Sequence, residues 1–143
     1  MKSRVWSTLM EELFLFFVGG GIYIMMEVLY RGWSHWSMFF LGGACFLCLG
    51  RINRILPKTA PLLLQMLIGA ILITVLELAA GLVVNIGLGW NIWDYSQKPF
   101  NFLGQVCLTT SIGWYFLSAA GIVFDDYLRY WLFGREKPQY KLI

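Results

Sequence analysis

Charge is scarce in this chain. Lys, Arg, Asp and Glu make up 13% of its 143 residues, about half the share of an ordinary soluble domain, which excludes a soluble globule clothed in its own polar surface. Histidine occurs once, at His35, and cysteine three times, at Cys45, Cys48 and Cys107. All three cysteines fall in apolar stretches, where Cys45 and Cys48 have neither a secreted disulfide context nor further ligands at zinc spacing. They read as small packing residues, and no metal or other cofactor is expected. The sequence lacks the phosphate-cradling G-x-x-x-x-G-K-[ST], the zinc pair H-E-x-x-H and the nucleophile elbow G-x-S-x-G, so nucleotide hydrolysis within the chain is excluded and no enzyme is expected. Strict G-x-x-x-G is missing despite fifteen glycines, which leaves helix association unassigned by that motif. A net charge of +3 argues only weakly for acidic partners, and nucleic acid is not among those expected.

What is present is hydrophobic: 59% of residues, with 17% aromatic. Apolar stretches at about 13–30, 36–50, 60–88 and 104–124 each approach the roughly 20 residues a helix needs to cross hydrocarbon. The predicted fold is an all-α integral membrane protein, one domain over residues 1–143, built as a bundle of four transmembrane helices. Basic residues set the orientation, because short loops rich in Lys and Arg stay cytoplasmic. Lys2 and Arg4 precede the first stretch, Arg51, Arg54 and Lys58 separate the second and third, and Arg129, Arg135, Lys137 and Lys141 follow the fourth, whereas only Arg31 and Lys98 lie in the other two loops. Both termini are therefore predicted inside. A signal peptide competes for the first stretch, but Glu11 and Glu12 interrupt its basic region, Gly19, Gly20 and Gly21 interrupt its core, and no A-x-A cleavage pattern follows.

At each end a mixed aromatic and polar segment, residues 1–12 and Tyr127 to Phe133, predicts a helical stretch lying at the membrane interface. Pro57 and Pro61 stop one helix and start the next. The third stretch would run about 43 Å from Pro61 to Gly89 as continuous helix, beyond the roughly 30 Å core, so it must tilt, break or project. Residues Trp90 to Leu103 predict an ordered outer loop capping the helices.

Two carboxylates stand inside apolar stretches, where an ionisable group is costly and normally faces a partner or a wet cavity. Gly20, Tyr23 and Glu27 share one helical face with Arg31 a turn beyond, and Ala70, Thr74, Glu77 and Gly81 share another. The predicted topology places both carboxylates in the outer half. Arg31, His35, Asp94, Tyr95, Lys98 and Asn101 lie in the outer loops, so an outward-facing pocket gathering these groups is one reading. In the other, Glu27 pairs with Arg31 at i, i+4 and Glu77 bonds Ser, Thr or Trp groups of the fourth helix. His35 is either an interfacial hydrogen-bonder or a proton relay. Asp94 and Asn101 are either ligands or local formers of turns and caps, with Asn101 placed to cap the fourth helix.

The run Trp93-Asp94-Tyr95-Ser96, then Pro99-Phe100-Asn101, Gly104, Cys107-Leu108, Ser111 and Trp114, resembles the hallmark of the CmpB-like family called putative ABC-transporter type IV. Glu77-Leu78 with Gly81, and a glutamate near the end of the first stretch, fit the same pattern. The resemblance is densest over residues 77–114. The family's proline-containing segment after the first loop is replaced here by Trp36-Ser37-Met38-Phe39. The resemblance implies a bacterial multi-pass protein of the cytoplasmic membrane, and a shared site would comprise Glu77, Trp93, Asp94, Tyr95, Pro99, Asn101 and Trp114.

Residues and resemblance together lead to an expected transport or solute-binding component for a small solute or cation. Its site would centre on Glu77, with Glu27, Trp93, Asp94, Tyr95, Asn101 and Trp114 as candidate binding residues. Four short helices rarely enclose a complete path, so the expected partners beyond the bilayer are a second copy or a separate membrane or ATPase subunit. The alternatives are a non-catalytic scaffold or accessory subunit and, further off, an intramembrane lipid-acting enzyme.

Overall fold

A computed structural model describes residues 2–143, with side chains from Arg4 onward. Met1 and the side chains of Lys2 and Ser3, which entered the charge and interface arguments, lie outside the described residues. Among the described residues the chain forms four α-helices, α1 (Lys2–Arg31), α2 (Trp36–Ile55), α3 (Leu62–Gly81) and α4 (Leu108–Phe133), a π-helical turn at Leu82–Gly87, and a hairpin of β1 (Asn101–Phe102) and β2 (Val106–Cys107). Three helical stretches, Arg4–Arg31, Trp36–Ile55 and Leu62–Gly87, are long and apolar enough to cross a membrane. The chain is a multi-pass membrane protein. The fourth helix, 26 residues long, reaches about 39 Å at 1.5 Å per residue, but carries Asp125, Asp126 and Arg129 in its last third.

The chain divides into two compact units. Among the described residues the first comprises 2–51 and 121–139. Within it α1 and α2 are joined by a four-residue turn, Gly32 to His35, and pack closely: a Cβ on Gly20 would come within 2.6 Å of the Phe39 carbonyl oxygen, so the missing side chain is what admits the neighbouring backbone. Phe16 and Phe39 meet edge to face at 5.9 Å, a geometry favoured by the ring quadrupoles. His35 Nδ1 accepts from the backbone N–H of Ser37, satisfying one of the free donors at the start of α2.

The N-terminal stretch corrects an expectation. Instead of a separate interfacial helix turning into the membrane, it runs unbroken into the rest of α1. No proline interrupts it, and the turn at Glu11 and Glu12 is tied to α4. Tyr127 to Phe133 likewise continues α4 without a break.

The tie is a buried ion cluster. Arg129, 4% exposed, donates from Nε to Asp125 Oδ2 at 2.8 Å and from Nη1 to Glu11 Oε1 at 2.9 Å and Glu12 Oε1 at 3.0 Å. Arg135 closes over Glu11 from the exposed side, Nη2 to Oε2 at 2.6 Å, which raises its own pKa chiefly through that hydrogen bond and the adjacent negative charge. Arg51 approaches Glu12 at 3.6 Å. Each member is an expensive group to bury alone, and together they balance in sign.

The second unit comprises residues 52–120 and 140–143. Pro61 caps α3 with extended backbone, and the first free donors of that helix are met by the chain's last residues: Leu62 N–H donates to the Lys141 carbonyl at 2.6 Å and Leu63 N–H to that of Leu142 at 3.4 Å. Met66, Gly69, Ala70, Ile73, Glu77 and Gly81 are buried along α3, the i, i+3/4, i+7 spacing of one helical face. After Gly81 the winding loosens into the π turn, with Leu88 N–H reaching back to the Val83 carbonyl. The long third stretch thus changes its winding before Gly89, where φ is +68°. The loop after the third stretch ends in a short hairpin, which pairs Asn101 with Cys107 and Phe102 with Val106.

Candidate polar site around Glu77

Glu77 lies on the buried face of α3, 3% exposed. Its carboxylate is held from two directions by neutral aromatic donors of the same unit. The Tyr95 hydroxyl donates to Oε1 at 3.0 Å, and Trp114 Nε1 donates to Oε2 at 2.9 Å. Hydrogen bonds to a charged acceptor are the stronger kind, and they offset the cost of placing a carboxylate in an apolar helix. Three residues earlier on α3, and three earlier on α4, Thr74 and Ser111 pair hydroxyl to hydroxyl at 2.8 Å. The i, i+3 spacing on both helices stacks these two pairs into a polar seam.

The seam continues past Glu77 through residues that the sequence reading did not select. Gly81 lies one turn on, and a Cβ there would sit 2.9 Å from Gln105 Cβ. Gln105, 6% exposed, accepts at Oε1 from Asn85 Nδ2 at 2.8 Å and donates from Nε2 to the Leu103 carbonyl at 3.1 Å. Asn85 sits in the π turn and accepts from the Ile92 N–H at 2.7 Å, which draws the start of the loop back to the helix. A π turn inserts an extra residue per turn, and this shifts the side-chain register at Asn85 relative to an α-helix. The signal for Asn85 and Gln105 was only that each is an amide in an apolar run, and their partnership across 20 residues has no local periodicity to announce it.

The candidate loop residues divide by role. Tyr95 reaches Glu77 through its side chain, and its backbone N–H is fixed by the Gly104 carbonyl at 2.7 Å. Trp93 donates from Nε1 to the Gln105 carbonyl at 2.9 Å, so its indole fastens the loop to the hairpin. Asp94 accepts from the Ser96 N–H at 2.8 Å; that backbone donor, and Ser96's side chain after it, hold the carboxyl below its ordinary pKa in a fully exposed position. Asn101 does not cap α4, which begins only at Leu108. It organises the turn instead, donating to the Ser96 and Lys98 carbonyls and accepting from the Gly104 N–H at 3.0 Å. Two bends near it carry left-handed backbone at non-glycine residues, Phe100 (φ 53°) and Leu103 (φ 55°), a costly conformation that such side-chain bonds help to hold.

Glu27 belongs to the other unit. It forms an ion pair with Arg31 one turn away and accepts from Ser34 Oγ at 3.2 Å, while the Arg31 guanidinium lies 4.1 Å from the Trp33 ring centroid. Its described contacts are those of the local pairing reading. Among the described residues no group of three or more His, Cys, Asp or Glu is arranged to hold a metal ion.

Comparison with curated proteins and with solved structures found no match in either. The model of the family described as Putative ABC-transporter type IV matches residues 14–134, most of the chain, and the protein belongs to that family.

Proposed function

We propose that this protein is a non-enzymatic transport or solute-binding component of the bacterial cytoplasmic membrane, with four spans, both termini inside, and an outward-facing site built on Glu77. The observation that carries this reading is a buried carboxylate held in an apolar helix by two neutral donors, Tyr95 and Trp114. Such a carboxylate keeps its negative charge available for a cation or a solute bearing N–H groups. The basic loops support the orientation, and the family description supports a transport role. The ATPase motif missing from the sequence assigns energy coupling, where it is needed, to a separate subunit, and a homodimer would widen the path beyond what four helices enclose. The loop residues Trp93, Asp94 and Asn101 shape the outer rim in this reading.

The test is thermal unfolding of wild type and Glu77→Gln in nanodiscs against a panel of cations, small solutes and lipids. A ligand that binds only the folded state raises its apparent stability by mass action. Stabilisation of wild type that disappears in Glu77→Gln is the expected result.

A scaffold or accessory role is the second reading, and the ion cluster favours it. Arg129 bonds three carboxylates, and the bonds that Asp94 and Asn101 make within the loop are structural in kind. Equal destabilisation of Glu77→Gln in every condition, without selective stabilisation of wild type, would support that reading and remove the first.

A further inference from the structure

We infer that Glu77 is a proton-binding site, that the proton resides on Oε1, and that the Tyr95 hydroxyl is the group that switches to receive it. The inference deepens the solute-binding reading of Glu77 by naming a ligand, and it rests on that reading's placement of the site. The Tyr95 and Trp114 donors to the carboxylate are chemically unequal. An indole N–H donates and never accepts, whereas a phenol hydroxyl does both. Trp114 therefore holds Oε2 as an acceptor whether the carboxyl is charged or neutral. Tyr95 donates to Oε1 when the carboxyl is charged, and by turning its O–H away it becomes the acceptor for a proton on that same oxygen.

The step balances. A hydronium ion from the loop side gives its proton to Oε1, one O–H bond forming there as another breaks, and water is released. The carboxylate charge is neutralised, and Tyr95 rotates without changing its own protonation. Tyr95 is partly exposed, which gives the proton a route to water along the phenol.

The loop and α4 each face Glu77 with a hydrogen-bonding group. From the loop comes the Tyr95 phenol, and from α4 the Trp114 indole, which does not titrate. Glu77 is the one ionisable side chain of α3. Other ionisable groups are Asp94, fixed by Ser96, and Lys98 in the loop, Cys107, whose sulfur lies 3.3 Å from Thr110 Oγ1, and, along α4, Tyr115, Asp125, Asp126, Tyr127, Arg129 and Tyr130.

The experiment is difference infrared spectroscopy of the full chain in lipid, titrated from about pH 9 to about pH 4, a range that brackets shifted carboxyl values. A carboxylic-acid C=O band that grows as pH falls, missing in Glu77→Gln, is expected. Tyr95→Phe removes a donor to the charged form and is expected to tighten proton binding about tenfold, one pKa unit. Should Glu77→Gln not fold, that shift in a variant retaining Glu77 carries the assignment. The inference is overturned by the lack of any titrating acid band in wild type, or by a band whose midpoint Tyr95→Phe leaves unmoved. Stabilisation by a solute without a titrating band also overturns it while sparing the solute-binding reading. A titrating band without solute stabilisation supports it and removes the solute.

Discussion

Arg129 and Glu11 meet at 2.9 Å across 118 residues of sequence, both nearly excluded from solvent. This pair, with Glu12 and Asp125 on the same guanidinium, fastens the beginning of α1 to the end of α4 within one unit. Replacing Arg129 by Met leaves three carboxylates without their shared cation. The expected cost is about 3–5 kcal/mol, the range for breaking a buried pair from one side. Arg129→Lys is expected to recover only part of it, because an ammonium is a point charge and cannot span three acceptors as a planar fork does. Chemical denaturation in detergent micelles reads both losses. An Arg129→Met protein as stable as wild type would mean the cluster is not what holds these helix ends.

The seam beyond Glu77 is sensitive to volume. Gly81→Ala places a methyl group against the Gln105 side chain and is expected to cost about 1–3 kcal/mol through overpacking. The Gln105–Asn85 bond is expected to suffer with it. A double-mutant cycle of Gly81→Ala with Gln105→Gly should show strong coupling, since the second change removes the side-chain atoms that the new methyl group meets. Simple additivity of the two losses would count against this contact.

Trp114→Phe keeps the ring's bulk while deleting the donor to Glu77 Oε2. A buried acceptor that loses its partner costs about 1–3 kcal/mol, and the loss should fall mostly away when Glu77 is already replaced by Leu, which has no acceptor to leave unpaired. Unfolding midpoints of the two single variants and the double variant decide the matter.

Asp94 sets a pH signature for the loop. Its folded pKa is depressed below the ordinary value of 3.8 by the Ser96 donors, so its stabilising contribution is fully present above that value and is lost as pH falls through the lower, folded one. Asp94→Ala is expected to loosen the loop at neutral pH, read as faster amide exchange at Ser96, and to differ progressively less from wild type as the pH drops below about 4. A difference that persists unchanged into strong acid would assign the effect to packing.

Asn101 makes three bonds within the turn that precedes and forms β1. Asn101→Ala is expected to destabilise by about 1–3 kcal/mol, with the disturbance confined to residues 96–104 in hydrogen exchange. Loss of α4 protection instead would restore the helix-capping role that the sequence first suggested.

What the sequence by itself determined is local in origin. Long apolar runs with few charges announced the long helices, because the cost of unpaired backbone in lipid leaves few alternatives. Pro57 and Pro61 marked the break before α3, and the spacing of Thr74, Glu77 and Gly81 showed that they share a face. The i, i+4 partnership of Glu27 and Arg31 was legible for the same reason. Only the tertiary structure decided which donors meet Glu77, that Asn85 and Gln105 extend its seam, that Asn101 serves a turn and not a helix, and that Arg129 is buried among Glu11, Glu12 and Asp125. The pairings of Glu77 with Tyr95 and of Arg129 with Glu11 join residues 18 and 118 positions apart. Helical and strand periodicity reports which way a side chain points, whereas its partner across such a separation is fixed by packing, and packing is a property of the folded chain.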